Sequence, residues 1–380
     1  MGKTVITGFI PITPALSRPP IGLHLHDPAC DNGVSLKGRP MPQIIARTIA
    51  LQSRPTGWPS PANFVLQTAP LADPGPGEVQ LQTLWLSLDP YMRGRMNAGA
   101  SYAPGVDLGQ PLPSEAVARV LQSNDAGYAP GDLVVVHDFW RDHAVRNARD
   151  LRKLDPGAAP VQTALGVLGM PGLTAYAGLK HIGKPRAGET VVVAAASGAV
   201  GALVGQIARQ SGARVVGIAG GPEKCAYVES VLGFDACLDR NRADLPEALQ
   251  LACPNGIDVY FELVGGAVWA AVQPLLNPFA RVPVCGTIAS YNEEALPPGP
   301  DMSGLLMRRI LVKSLTLRGF IVSEFAADAP EFRTLMAGWL ATGAVQARED
   351  VTEGLEQMVA AFIGLLAGRN FGKALIRVAQ

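Results

Sequence analysis

From Ile45 onward, apolar and polar positions fall into short runs of period two. Residues 45–51 alternate as a strand, 64–68 as a second, and 79–88 as a third after the turn cluster Asp73-Pro-Gly-Pro-Gly-Glu78. Residues 116–121 and 133–137 continue the pattern around Tyr128-Ala-Pro-Gly-Asp132. Short strands at this spacing predict a small β-barrel-like domain. The rhythm changes near Ala164, where helical signals begin and strengthen over 172–179. After that, β-branched runs alternate with amphipathic stretches. Strands are expected at 191–193, 213–218, around Ala236, at 257–261 and at 281–285. Helices are expected over 199–211, 223–232, 245–253 and 269–276. Two more helices, 302–313 and 329–342, flank a strand at 315–322; a helix at 355–366 and a strand at 373–378 close the chain. This is the rhythm of a doubly wound parallel sheet, so the expected fold is α/β: a β-rich domain, a Rossmann domain, and a return of the chain to the first.

The most informative stretch is 191–221. A buried parallel strand is expected to be a continuous β-branched run, as Val191-Val-Val193 is. Ala196, Ser197, Gly198, Ala199, Val200 and Gly201 then form A-x-G-x-x-G, a small-residue version of the dinucleotide fingerprint. Gly198 lets the backbone approach a pyrophosphate, Gly201 lets the helix pack on its strand, and the free N–H groups at the helix start face the phosphates. The alternative is a glycine-rich structural turn in a chain with 42 glycines. At the end of the second strand, where an NAD enzyme carries a ribose-binding carboxylate, stand Ala219, Gly220, Gly221, Pro222, Glu223 and Lys224. Small residues leave room for a 2′-phosphate, Lys224 can pair with it, and Arg240 or Arg242 can add charge. The expected cofactor is therefore NADP(H); otherwise Lys224 is a solvated surface lysine.

Length and composition narrow the classes. At 380 residues the chain is expected to hold two domains. Its 32 basic and 32 acidic residues balance, which argues against nucleic acid or an anionic membrane as partner. No long uncharged apolar run suggests a membrane span. Five scattered cysteines (Cys30, Cys225, Cys237, Cys253, Cys285) without a C-x-x-C pair suit a reducing cytoplasm. With five histidines (His24, His26, His137, His143, His181) they offer no Cys, His and carboxylate grouping around an open metal site, so no metal is expected. The first 44 residues carry many prolines and little periodicity, and read as a disordered or irregular extension. A start at Met41 and a functional tail are the alternatives.

Chain order and motifs resemble the medium-chain dehydrogenase/reductase superfamily, and within it the zinc-independent, NADP-dependent double-bond reductases: prostaglandin reductase, plant alkenal reductases and curcumin reductase-type enzymes. The segments that carry the resemblance include Leu88-Asp-Pro-Tyr-Met-Arg-Gly-Arg-Met96, Gly169-Met-Pro-Gly-Leu-Thr-Ala-Tyr176, Ala194-Ala-Ala-Ser-Gly-Ala-Val-Gly201, Val284-Cys-Gly-Thr-Ile-Ala-Ser-Tyr-Asn292, Leu317-Arg-Gly-Phe-Ile-Val322 and Asn370-Phe-Gly-Lys373. They span about residues 45–380 in order. The resemblance implies a GroES-like β-barrel catalytic domain over 45–160 and 343–380, a Rossmann NADP-binding domain over 161–342, and a homodimer.

Carried over by position, Ala199, Val200, Gly201 and Ala202 match the pyrophosphate turn and Lys224 the 2′-phosphate lysine; Ser197, Gly198, Gly220 and Arg240 join them as cofactor-binding candidates from the reading of the residues above. Cys285, Gly286, Thr287 and Ile288 match the loop passing the nicotinamide, Phe320, Ile321 and Val322 a segment closing over that ring, and Asn370 a late cofactor contact. Tyr291 matches a substrate-facing tyrosine, proposed in plant relatives as proton donor; it is either the acid or a wall that orients the carbonyl. Tyr91 lies on the loop where zinc-dependent relatives carry a metal cysteine, and faces substrate or simply packs. Met170 and Thr174 are expected at the nicotinamide end. Two departures stand out. Leu263 replaces the family's cofactor-contacting asparagine, and Arg240 stands where many relatives carry tyrosine.

Without a Lewis acid, a conjugated enal or enone is the easier acceptor: hydride goes to the β-carbon and charge moves to the carbonyl oxygen, where donors such as the Tyr291 hydroxyl stabilise it. The expected activity is NADPH-dependent reduction of the C=C bond of α,β-unsaturated aldehydes and ketones. Quinone reduction in the same pocket and NADPH binding with little turnover are the alternatives.

Overall fold

A computed structural model describes residues 43–99, 101–294 and 300–380. The irregular extension expected over 1–44 lies outside the described residues except for its last two.

The period-two runs of the first part form strands. A hairpin of β1 (Ile45–Leu51) and β2 (Phe64–Pro70) precedes β3 (Glu78–Ser87), the four-residue helix α1 (Met92–Arg95), β4 (Pro113–Ser123), β5 (Leu133–Phe139), β6 (His143–Asn147) and β7 (Leu151–Lys153). Strands β3, β4, β5 and β7 lie side by side in an antiparallel sheet, with β6 also paired to β3. Their inward residues, including Leu81, Leu86, Val120, Val134 and Trp140, are buried in one apolar core.

The helical segment near Ala164 is a 3-10 turn followed by α2 (Met170–Ala177), which runs on into one turn of π-helix over Gly178–Gly183. The alternating region follows in chain order: β8 (Thr190–Val193), α3 (Gly201–Gln210), β9 (Arg214–Ala219), α4 (Pro222–Ser230), β10 (Ala236–Asp239), α5 (Leu245–Ala252), β11 (Ile257–Phe261), α6 (Gly266–Val272), β12 (Leu276–Val284), α7 (Ser303–Lys313) and β13 (Thr316–Gly319). The strands form a six-stranded parallel sheet in the order β10-β9-β8-β11-β12-β13. The order reverses beside β8, and this switch point is where such sheets open a crevice at their carboxyl ends. Every residue of β8 is buried, as a central strand covered on both faces requires.

After α8 (Ala329–Ala341) the chain returns to the first sheet. Strand β14 (Glu349–Glu353), helix α9 (Met358–Leu366) and β15 (Lys373–Arg377) follow, with β15 antiparallel to β3 and parallel to β14. An isolated bridge between Gly198 and Gly372 ties the turn after β8 to this returning segment. Three strands escape the sequence pattern: β6 and β7 are short, and β14, Glu-Asp-Val-Thr-Glu, reads as polar because it is an edge strand.

Candidate active site

One cavity of about 570 Å³ runs between the switch point of the parallel sheet and the antiparallel sheet. Its phosphate end is built by the turn after β8. Ala195 sits there at φ 48°, a left-handed conformation that costs a residue with a Cβ about 1–2 kcal/mol. The strain lets the chain reverse tightly before α3. A Cβ on Gly201 would collide with the carbonyl oxygens of Ala195 and Ala194, so only glycine lets α3 start this close to its strand. The amides of Ala199 and Val200 donate to no acceptor among the described residues and lie on the cavity wall at the start of the ten-residue α3. Such a cluster of free donors suits a pyrophosphate.

Two cations stand beyond it. Lys224, in the first turn of α4, donates from Nζ to the carbonyls of Gly368 (2.7 Å) and Asn370 (2.6 Å). Burial and the neighbouring Arg240 charge hold its pKa below the usual lysine range. Arg240 follows β10, its amide donating to the Ala219 carbonyl at 2.7 Å and its guanidinium beside Gly220 and Gly368. The carboxylates nearby are committed or turned away. Asp239 accepts the amides of Gly221 (2.8 Å) and Asn241 (3.0 Å), and Glu223 is exposed. A ribose 2′-hydroxyl would find no carboxylate on offer; a 2′-phosphate would meet two cations.

The middle of the cavity is apolar. Met170, Pro171, Thr174, Leu263, Ile288 and Phe320 line it, with Thr174 Oγ1 donating to the Met170 carbonyl at 2.8 Å. Cys285 lines it too; burial pushes its thiol up to about 12, so it stays protonated at neutral pH. Leu263 stands on this wall with its carbonyl accepting the Ile288 amide at 3.5 Å.

The opposite end belongs to the antiparallel sheet and the loop before α1. Tyr91, Tyr102 and Tyr291 all line it. Burial raises the pKa of each hydroxyl; the charges of Asp89 and Glu115 raise Tyr91 further, while Arg95 lowers Tyr102 and the Thr287 amide lowers Tyr291. All three are therefore neutral donors at physiological pH. Beneath Tyr91, the Lys373 ammonium is 3% exposed and donates to the Leu88 carbonyl (2.7 Å) and to Asp89 Oδ1 (2.8 Å). Ser87 donates to the other Asp89 oxygen. A buried ion pair with its remaining lone pairs satisfied fixes the loop on which Tyr91 sits.

Of the residues singled out in the sequence, Ser197, Gly198, Ala199, Val200, Gly201, Gly220, Lys224, Arg240, Cys285, Gly286, Ile288, Phe320, Ile321, Val322, Asn370, Tyr91 and Tyr291 border this cavity, as do Met170 and Thr174. Ala202 and Thr287 do not. Ala202 is one position further along α3 and faces a small separate hollow with Tyr227 and Arg348, and Thr287 is exposed on the outside of its turn. Asn370 contributes mainly through its backbone, because its side-chain Nδ2 donates to the Gly372 carbonyl at 2.8 Å. Tyr176 and Tyr260 are buried, their hydroxyls donating to Glu331 (2.7 Å) and Glu262 (3.0 Å). Asp89, Tyr102, Glu115, His137 and Lys373 gather at the barrel end without having been singled out. The available signal was a lone charge inside an apolar strand, as at Glu115 before Ala116-Val-Ala118.

Among the described residues no group of three or more His, Cys, Asp or Glu is placed to hold a metal, and no helix is long and apolar enough to cross a membrane.

Comparison with known proteins gives two family matches: an N-terminal domain of oxidoreductase over residues 47–154 and a zinc-binding dehydrogenase domain over 199–341. The chain is 51% identical over 334 residues to an NADPH-dependent curcumin reductase of Escherichia coli, covering 88% of this chain and 97% of that protein. It is 39% identical over 300 residues to a 2-alkenal reductase (NADP(+)-dependent) of Nicotiana tabacum, covering 78% and 86%. The crystal structure of CurA from Vibrio vulnificus in complex with NADPH matches with a TM-score of 0.86 at 46% identity, covering 88% of this chain and 99% of that one.

Proposed function

The chain belongs to the NADPH-dependent medium-chain oxidoreductase family of the curcumin and 2-alkenal reductases, and we propose from that membership that it reduces the C=C bond of α,β-unsaturated aldehydes and ketones with NADPH. The observation that carries the reading is the continuous cavity of about 570 Å³ itself. It has free amides and two cations at one end, an apolar middle, and three neutral tyrosyl donors at the other.

The residues fit the cofactor. Ala199 and Val200 offer amides to the pyrophosphate, and Lys224 and Arg240 offer charge to the 2′-phosphate. When bound, NADPH supplies a hydride to the β-carbon of the acceptor. Met170, Thr174, Ile288 and Phe320 wall the reacting end and exclude water, which strengthens every hydrogen bond made there. As the β-carbon gains its hydride, negative charge collects on the carbonyl oxygen. Tyr291 meets that charge. Its hydroxyl, whose pKa burial raises, stays protonated and is a weak acid toward carbon, so its part in this reading is to orient the carbonyl and donate a hydrogen bond to the oxyanion. Water then delivers the proton to the α-carbon. Tyr91, on its ion-paired loop, holds the acceptor from the barrel side.

A homodimer is part of the same reading. No residue of α7 is buried, and Met307, Leu311 and Val312 are 64%, 80% and 71% exposed beside the edge strand β13. A second copy meeting that face would cover them, and Leu311→Asp would then yield a monomer by light scattering. A cytoplasmic location accords with Cys225, Cys237, Cys253 and Cys285 all standing as free thiols.

The test is NADPH oxidation followed optically with a medium-chain 2-alkenal, an enone and a quinone, and NADH as control. Rapid NADPH-dependent loss with the enal or enone and a saturated carbonyl product is expected. Turnover of the quinone alone would replace the reading with quinone reduction. Tight NADPH binding with no acceptor turned over would replace it with a binding role, for which Leu263 in place of an amide is the natural cause.

A further inference from the structure

Glu115 on β4 and His137 on β5 are directly opposed in the antiparallel register, so their side chains leave the same face of the sheet as neighbours. Both line the acceptor end of the cavity. Neither side chain makes a hydrogen bond to any described residue, and most charged groups around them are committed elsewhere. Lys373 is held by Leu88 and Asp89, Asp89 by Lys373 and Ser87, and Arg152 approaches Glu115 from β7 without bonding to it. Arg95, beside His137, donates to the Pro104 carbonyl at 2.6 Å. A half-buried carboxyl with nothing to accept from is costly unless a ligand or water supplies the donor.

We propose that Glu115 and His137 form a subsite for a hydroxyl group on the acceptor molecule, remote from the reacting double bond. A hydroxyl both donates and accepts. It donates to the Glu115 carboxylate and accepts from the ring N–H of His137, whose pKa burial and Arg95 hold below the usual histidine range, so that the ring is neutral. This subsite rests on the reductase reading and adds a specificity to it: Glu115 and His137 select, among the enones, those carrying a hydroxyl on the far side of the molecule. Burial pushes the Glu115 carboxyl up to about 7, with Asp89 adding and Lys373 and Arg152 opposing. The preference is therefore strongest above neutrality, where the group is an ionised acceptor.

The test compares para-(hydroxymethyl)benzylideneacetone, whose alcohol stays protonated, with its methyl ether at pH 8. The two differ by one methyl group, which removes the donor. The wild-type chain is expected to favour the hydroxyl compound in kcat/KM by about tenfold, the worth of a hydrogen bond to a charged group. In Glu115→Leu the ratio falls to about one; Glu115→Gln, which keeps an accepting oxygen, retains part of the preference, and His137→Ala loses part of it. A second readout needs no turnover: calorimetric binding of the two corresponding saturated ketones to the complex with NADP+. A hydroxyl preference in binding that Glu115→Leu removes supports the subsite even where neither enone is reduced, in which case it is the reductase reading that falls. No preference in wild-type binding, a preference unchanged in Glu115→Leu, or an equal loss for both compounds would overturn the proposal.

Discussion

Lys224→Ala separates the two tasks that the structure gives one side chain. The ammonium has three protons. Two are donated to the carbonyls of Gly368 and Asn370, and the third, with the charge, is left for the cavity. A charge-assisted bond to a phosphate is worth about 1.5–3 kcal/mol, so its loss should raise the KM for NADPH by roughly 10- to 100-fold. The bonds to Gly368 and Asn370 hold the loop between α9 and β15. Loosening that loop costs NADPH and NADH alike, so the ratio of kcat/KM for the two cofactors isolates the phosphate. That ratio should fall by about tenfold or more. Lys224→Arg, which keeps a charge, should retain most of the discrimination, and added salt should erode it more steeply in the wild type than in Lys224→Ala, where Arg240 remains. Steady-state kinetics with both cofactors is the assay. Equal rises in both KM values would refute the 2′-phosphate role and leave Lys224 as a strap between α4 and the returning chain.

Other expectations follow from the same geometry. Tyr291→Phe should lower kcat by roughly 10- to 100-fold through the lost oxyanion donor while leaving NADPH binding intact; a shifted NADPH affinity with unchanged kcat would contradict the assignment. Gly201→Ala drives a Cβ into the Ala195 carbonyl and should cost about 1–3 kcal/mol of stability together with NADPH affinity, measured by urea unfolding and fluorescence titration; a neutral result would mean that α3 can shift freely. Glu115, pushed up to about 7, keeps its proton in the folded chain between pH 4.5 and 7, where the unfolded chain has released it. Stability should therefore fall as pH rises through that window, by at most about 3 kcal/mol, and Glu115→Gln should remove this part of the slope; parallel urea midpoints for the two proteins at pH 5 and pH 8 would contradict the raised value.

The fold was largely legible because its signals are local. A β-branched run fully buried at β8, a glycine turn and an amphipathic helix each declare themselves within a few residues. The phosphate end of the cavity is one such local unit, and Lys224 follows it closely in the chain. The barrel end is not local. Asp89 and Lys373 are nearly three hundred residues apart in the chain and meet only because β15 pairs with β3. Glu115 and His137 become neighbours through the register of two strands, and no spacing along the chain announces that. The strand β14 was hidden for a related reason: its charged residues are tolerated because an edge is solvated.

The central claim, hydride transfer to a carbon–carbon double bond, is tested most directly by the fate of a label. NADPH deuterated at its transferable nicotinamide position is incubated with the enzyme and a medium-chain 2-alkenal, and the product is read by proton and deuterium NMR. The account predicts a saturated aldehyde with deuterium on the β-carbon and a solvent proton on the α-carbon. An allylic alcohol with deuterium on the former carbonyl carbon would contradict it.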